Sequence, residues 1–226
     1  MRRHGKLLWV KSPKIVISVF LLVAAGGLGS YVGLRAARGN FRVVVPGKVY
    51  RSAQPSPEQL KRWISRWGIR TIINLRGDDS SIVEKEKAVA AQLGVRMVSL
   101  SLSAHRLTSR PLMAELINAI ETAQLPVLIH CQAGVDRAGT ASAMAAMAIG
   151  AVNYDKARWQ AYVAPGPWKR RSFNGRRNRY PRYEHISDML VLYQRYCTQS
   201  DIEPMDWQSL KGWISRTDAL PGAKVE

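Results

Sequence analysis

Cys131 and Arg137 are separated by five residues, Gln132, Ala133, Gly134, Val135 and Asp136. An apolar run ending in His130 precedes them, and a stretch of small residues follows. A cysteine thiolate is a strong nucleophile, and an arginine can offer two parallel N–H groups to two oxygens of one phosphate. Where a loop joins the carboxyl end of a strand to the N-terminus of a helix, several backbone N–H groups can converge on one anion, and the helix end adds positive partial charge. The spacing therefore predicts a phosphate cradle built from Gln132, Ala133, Gly134, Val135 and Ala138. Arg137 would hold substrate and transition state, and the same positive field would keep Cys131 as a thiolate. The bland alternative is a buried free cysteine beside a surface arginine. It does not account for the strand, histidine and glycine gathered around the pair.

The rest of the pattern supplies the elements that would position this loop. Val127 to His130 reads as a short buried strand, and Ala138 to Ile149 as a helix of small residues closed by Gly150. Upstream, Pro46 to Pro55 reads as a strand and turn. Ser56-Pro57-Glu58 opens a helix whose inward face is Leu60, Trp63, Ile64 and Trp67. Strands over Ile69 to Leu75 and Val95 to Leu102 alternate with helices over Ser81 to Leu93 and Pro111 to Thr122. Further helices are predicted near Tyr154 to Val163, His185 to Tyr196 and Pro204 to Arg216. Alternation of this kind predicts an α/β fold, a central, mostly parallel sheet flanked by helices. The boundaries expected are a basic segment 1–14, an apolar span 15–34, a linker 35–45, a catalytic domain 46–200 and a C-terminal helix and tail 201–226.

His130, Cys131 and Arg137 match an H-C-x5-R signature, and on these residues the chain resembles the cysteine-based protein tyrosine and dual-specificity phosphatase superfamily, in a bacterial dual-specificity-like form. The likeness extends through Val49-Tyr50-Arg51-Ser52-Ala53-Gln54-Pro55 and Ile72-Ile73-Asn74-Leu75-Arg76, over roughly residues 48–150. It implies hydrolysis of phosphomonoesters through a phosphocysteine, with no metal or organic cofactor. It also implies an indirect role for His130, tuning the thiolate and fixing the loop.

Two departures bear on mechanism. Many relatives carry Ser or Thr directly after the arginine, whereas this chain has Ala138, with Thr140 nearby. Relatives also commonly supply an aspartic acid from a loop some 30 residues before the cysteine. Here Lys87 to Ala114 contains no acidic residue. Asp136 is the best substitute, because some secreted bacterial members resemble this chain in placing an aspartate before the loop arginine. Its bland reading is a carboxylate that shapes the loop. His105 lies where the acid loop would fall, and a histidine exchanges protons near neutral pH; a solvated loop residue is the simpler reading. Asp78 ends a predicted strand and could reach the pocket, or could serve only as a turn residue. Arg51 and Arg76 could enlarge the anionic pocket or sit in solvent.

The whole chain narrows the setting. A formal charge of +18 over 226 residues predicts anionic partners. Two cysteines, Cys131 and Cys197, are too few for a disulfide framework and lack zinc-site spacing. Ile15 to Leu34 is uncharged, mostly apolar and 20 residues long, the length of a membrane-crossing helix, with Arg2, Arg3, Lys6, Lys11 and Lys14 ahead of it. That asymmetry predicts a single-pass anchor with a cytoplasmic N-terminus and, in a bacterium, a periplasmic catalytic domain. A cleaved signal peptide is the alternative. Gly29 and Gly33 could let two such helices pack. Lys156 to Tyr183 carries nine basic residues and no acid, interleaved with Trp159, Trp168, Phe173, Tyr180 and Tyr183. Such a segment suits anionic headgroups, and beside an anchor it favours lipid over nucleic acid, so no nucleic-acid partner is expected. The expected partner is a phosphorylated protein or a lipid phosphate, at a membrane. A tethered phosphate-binding pseudophosphatase with little turnover is the competing reading.

Overall fold

The computed structural model describes residues 15–23, 26, 27, 39–78, 81–162, 186, 188–203, 205–217 and 220. The chain forms two units, 1–38 and 39–226. In the first, residues 15–23 are helical with exposed apolar side chains. Among the described residues no helix is long and apolar enough to cross a membrane. The remainder of 15–34 apart from residues 26 and 27, with Gly29 and Gly33, lies outside the described residues, as does most of the basic aromatic segment.

The second unit is built on five strands: β1 (Arg42–Val45), β2 (Val49–Ser52), β3 (Thr71–Asn74), β4 (Arg96–Ser99) and β5 (Val127–His130). Their order is β1-β2-β5-β3-β4, with β2, β5, β3 and β4 parallel and β1 antiparallel to β2. The expected α/β architecture is present as a mixed, mostly parallel sheet. β1 departs from the expected linker. Its Val-Val-Val run is flanked by arginine, and one valine is solvent-exposed, so neither composition nor alternation announces a strand. A register shift between Val43 and Val45 bends it at the sheet edge.

Side chains of successive residues leave a strand on opposite faces, and the two faces here bury different helices. Val49, Ile73, Val127 and Ile129 join the larger core cluster, with α3 (Arg110–Glu121), α4 (Asp136–Gly150), α7 (Asp188–Gln199) and α8 (Trp207–Arg216). Tyr50, Ile72 and Leu128 join the smaller one, with α1 (Pro57–Trp67) and α2 (Ser81–Gln92). β5 is buried along its whole length, which is why it reads as a continuous apolar run.

Local signals set most helix ends. Ser56 Oγ accepts from Gln59 N at 3.2 Å while Gln59 Oε1 accepts from Ser56 N at 3.0 Å, and Gly68 closes α1 in the left-handed region. Trp63, Ile64 and Trp67 are half-buried, not central. They cover the smaller cluster, with the Trp63 ring tilted 4.7 Å from Phe41 and that of Trp67 tilted 5.2 Å from Tyr50. The left-handed residue that ends α4 is Ala151, not Gly150; a Cβ on Gly150 would lie 2.8 Å from Val45 Cγ2, so close packing on β1 accounts for that glycine. The helix expected from Tyr154 is split into α5 (Tyr154–Ala157) and α6 (Trp159–Tyr162).

α8, the helix expected near Pro204 to Arg216, packs into the main core through Trp207, Leu210, Trp213 and Ile214. It is clasped to α3 by Glu121, whose Oε1 accepts from Lys211 Nζ at 2.6 Å and Trp207 Nε1 at 2.8 Å. The Lys211 hydrogen bond, and after it that of Trp207, hold the Glu121 carboxyl below its ordinary value of 4.5. A depressed carboxylate stabilises the fold above its unfolded value, and that contribution disappears as pH falls through the folded value. Glu121→Gln is therefore expected to lower stability at pH 7 by no more than about 1 kcal/mol, given solvent screening, with the difference from wild type vanishing on acidification. Denaturant melts of both proteins from pH 7 to pH 3 check this.

Candidate active site

β5 lies between β2 and β3, so the chain leaves its carboxyl end at the point where strand order reverses, the place where open α/β sheets gather ligands. The segment after it runs from Cys131 to Val135 and enters α4 at Asp136. Cys131 is 2% exposed and packs into the larger core cluster, at the floor of this loop. Gly134 has φ +65°, and a Cβ there would lie 2.5 Å from backbone atoms of Ser52 and Ala53. The loop therefore rests directly on the end of β2, in a conformation and at a distance only glycine allows.

Donors outside the loop take three successive loop carbonyls. Gln54 N donates to Gln132 O at 3.2 Å, and Asn40 Nδ2 donates to Ala133 O at 3.0 Å and Gly134 O at 3.3 Å. In a planar trans peptide the N–H points opposite the C=O. Fixing these carbonyls outward therefore turns the N–H groups of Ala133, Gly134 and Val135 the other way, which is the arrangement an anion requires.

Arg137 is tied by one nitrogen. Its Nη1 donates to Leu75 O and Leu102 O, both at 3.2 Å, the carbonyls just beyond β3 and β4. Its Nε is buried with no partner among the described residues, although buried donors are rarely left so. The Nε–Nη2 edge, the one that can pair two oxygens side by side, is thus uncommitted among the described residues, and its paired donors match the geometry of an oxyanion.

Beneath the loop His130, Gln54 and Arg76 meet around Glu86, which the sequence does not single out. His130 is fully buried on the α2 side of β5, with Nε2 2.6 Å from Glu86 Oε1, at ion-pair distance but without the alignment of a regular hydrogen bond. Glu86 Oε2 accepts from Gln54 Nε2 at 2.7 Å, and Gln54 Oε1 accepts from Arg76 Nη1 at 3.0 Å. Arg76, half-buried, therefore reaches the loop's supports rather than standing alone in solvent.

The other candidates are dispersed. Asp136 is the first residue of α4, half-buried, where a carboxylate also complements the helix end. Ala138 is fully buried, so no hydroxyl stands directly after the arginine. Thr140 is fully buried one half-turn later, and its Oγ1 has no hydrogen-bond partner among the described residues. Arg51 is neither in solvent nor part of the loop. It is fully buried with Nη1 bonded to the Gln160 carbonyl, tying β2 to α6. Asp78 is exposed, in the bend between β3 and α2, and paired with Lys87 Nζ at 3.1 Å; a hydrogen bond from Ser99, then Lys87, holds its carboxyl below the usual value. His105 is exposed in the loop after β4, the same loop whose Leu102 carbonyl holds Arg137. Cys197 is a buried free thiol in α7, pushed up in pKa mainly by burial.

A family described as "DSP-PTPase phosphatase fused to NAD+ Kinase" matches residues 42–164, more than half the chain. The chain belongs to this family. It is a DSP-PTPase phosphatase, a hydrolase, as the H-C-x5-R resemblance implied. None of the curated proteins matches it. Among solved structures it is similar to TpbA of P. aeruginosa, at 20% identity over 78% of this chain and 96% of that one, with a TM-score of 0.47. It is also similar to the core catalytic domain of the PP-IP phosphatase SIW14 of S. cerevisiae, at 18% identity over 74% and 96%, with a TM-score of 0.46.

Of the residues sequence reasoning missed, Asn40 and Glu86 matter most to the loop of this phosphatase. Asn40 left one signal, since Gly39-Asn40 is a turn dipeptide able to take the positive φ that both adopt. Glu86 left none. In the sequence it sits among Glu84, Lys85 and Lys87 and reads as one more charge on a solvated helix face.

Proposed function

We propose that this phosphatase hydrolyses phosphomonoesters by attack of the Cys131 thiolate on phosphorus, at a membrane surface to which residues 15–34 tether it. The Sγ–P bond forms as the bond to the leaving oxygen breaks, and Asp136 gives that oxygen its proton. Asp136 then takes a proton from water, the water oxygen attacks phosphorus, and phosphate leaves with Cys131 again a thiolate. Arg137 and the inward N–H groups hold the equatorial oxygens through both steps. The observation that carries this reading is the suspension of Arg137 by Nη1 alone, with a buried, unpartnered Nε beside a cysteine loop at the strand-order reversal.

Asp136→Asn is expected to slow hydrolysis of alkyl phosphates, which need a proton on the leaving oxygen, by about 10²-fold or more, and to slow nitrophenyl phosphate far less. Equal rates for wild type and Asp136→Asn on alkyl phosphates would remove Asp136 from the mechanism, and a large effect of His105→Ala would transfer the role to that residue.

The substrate is proposed to be either phosphotyrosine on a protein or a lipid phosphate such as a phosphoinositide, phosphatidylglycerophosphate or phosphorylated lipid A. What supports the lipid reading is the charge of +18, the exposed apolar helical residues 15–23 and the basic residues that precede them. In a bacterium the catalytic domain would face the periplasm. Rates on phosphotyrosine peptides and on vesicles of each phospholipid, measured with the full chain, separate the two classes. Release of the chain from membranes by high salt without detergent would count against the tether.

A further inference from the structure

The least economical feature of the fold is the carboxylate of Glu86. It is 2% exposed, on an α2 face that otherwise buries Val83, Val89 and Ala90. An ionised carboxylate in apolar surroundings is costly unless its partners are good, and replacing such a group with an apolar one often stabilises a protein. Glu86 makes two contacts, and both lead to the phosphate loop. Oε1 is 2.6 Å from Nε2 of His130, the residue before Cys131. Oε2 receives Gln54 Nε2 at 2.7 Å, and the backbone of Gln54 donates to the loop at Gln132. Among the described residues Glu86 is the only polar group touching the His130 ring, whose Nδ1 has no partner.

We propose that Glu86 is a positioning residue for the reaction at Cys131, its buried carboxylate orienting His130 behind the nucleophile while Gln54 couples the same carboxylate to the loop backbone. This rests on Cys131 being the nucleophile. Removing the carboxylate leaves the N–H cradle and Arg137 in place, so substrate still binds, but His130 can turn and the thiolate loses its fixed support. Outer partners that orient metal-ligating histidines contribute about 10- to 100-fold, and an effect on the same scale is expected here.

The test uses the full chain with Glu86→Gln, a neutral isostere that lessens the burial cost and is expected to fold, and with Gln54→Ala, which removes one of the two contacts. The expected result for Glu86→Gln is a fall in kcat of about 10-fold or more on nitrophenyl phosphate with KM within about twofold, and a slower alkylation of Cys131 by iodoacetamide at fixed pH. Gln54→Ala should move both in the same direction by less. Wild-type kcat and alkylation rate in Glu86→Gln would overturn the proposal, as would a change confined to the melting temperature. Cys131→Ser, assayed alongside, separates the two ideas: if it retains turnover, the nucleophile assignment fails, whereas its inactivity beside a fully active Glu86→Gln defeats only the role of Glu86.

Discussion

Cys131→Ser is expected to reduce kcat on nitrophenyl phosphate by at least about 10³-fold while leaving the melting temperature and the affinity for inorganic phosphate nearly unchanged. Serine fills almost the same volume at a position 2% exposed, so the packing of the loop floor survives. What is lost is chemical. A thiol ionises readily in a positive site, whereas a hydroxyl remains protonated unless a base stands beside it, and His130, the nearest candidate in sequence, is committed to Glu86. Arg137→Lys should give a different signature, with KM raised and kcat lowered together. A lysine cannot hang from the Leu75 and Leu102 carbonyls and also present two parallel donors, so both substrate and transition state lose the same pair of bonds. Measuring phosphate affinity alongside kcat distinguishes the two. Retained binding with lost turnover identifies the nucleophile, and loss of both identifies the anion ligand. A Cys131→Ser protein that still turned over at a tenth of the wild-type rate would refute the assignment.

The parts of this architecture that were legible in the sequence are those held by local or periodic forces. β5 announced itself because a strand buried on both faces must be apolar throughout, and α1 because Ser56, Pro57 and Gly68 state where a helix can begin and end. The loop was legible because its chemistry is contiguous, one cysteine, one glycine and one arginine within seven positions. What escaped depends on residues distant in the chain. β1 is specified by pairing with β2 rather than by its own alternation, and the split between α5 and α6 by packing on α4, where a Cβ at Gly139 would lie 2.9 Å from the Gln160 carbonyl. The sequence leaves Arg51 a choice between pocket and solvent, and its burial shows a third outcome, in which a guanidinium satisfies a helix carbonyl inside the fold. Glu86 meets His130 across 44 residues, and no spacing rule connects a carboxylate on one helix to a histidine three elements later. The residues proposed to act on phosphorus lie together in the sequence. The contacts that hold them in place do not.

Gly134→Ala is expected to be the most damaging single-methyl change in the loop, and for two separable reasons. The backbone there has φ +65°, a conformation that costs an L-residue with a Cβ roughly 1–2 kcal/mol. In addition the new Cβ would lie 2.5 Å from backbone atoms of Ser52 and Ala53, which cannot move aside as a flexible side chain would; such overpacking costs about 1–3 kcal/mol more. Gly94 isolates the first effect, because its φ is +65° with nothing within 4 Å of the position its Cβ would take. Gly94→Ala should therefore lose about 1 kcal/mol of stability and keep full activity. Gly134→Ala should lose several times that, and kcat should fall by about 10²-fold as well, because relieving the contact lifts the loop off β2 and strains the bonds from Asn40 and Gln54 that aim its N–H groups. Denaturant melts and steady-state kinetics on the two variants give the comparison. If both lose the same stability and neither loses activity, the loop is not seated against Ser52, and the cradle derived from that seating fails with it.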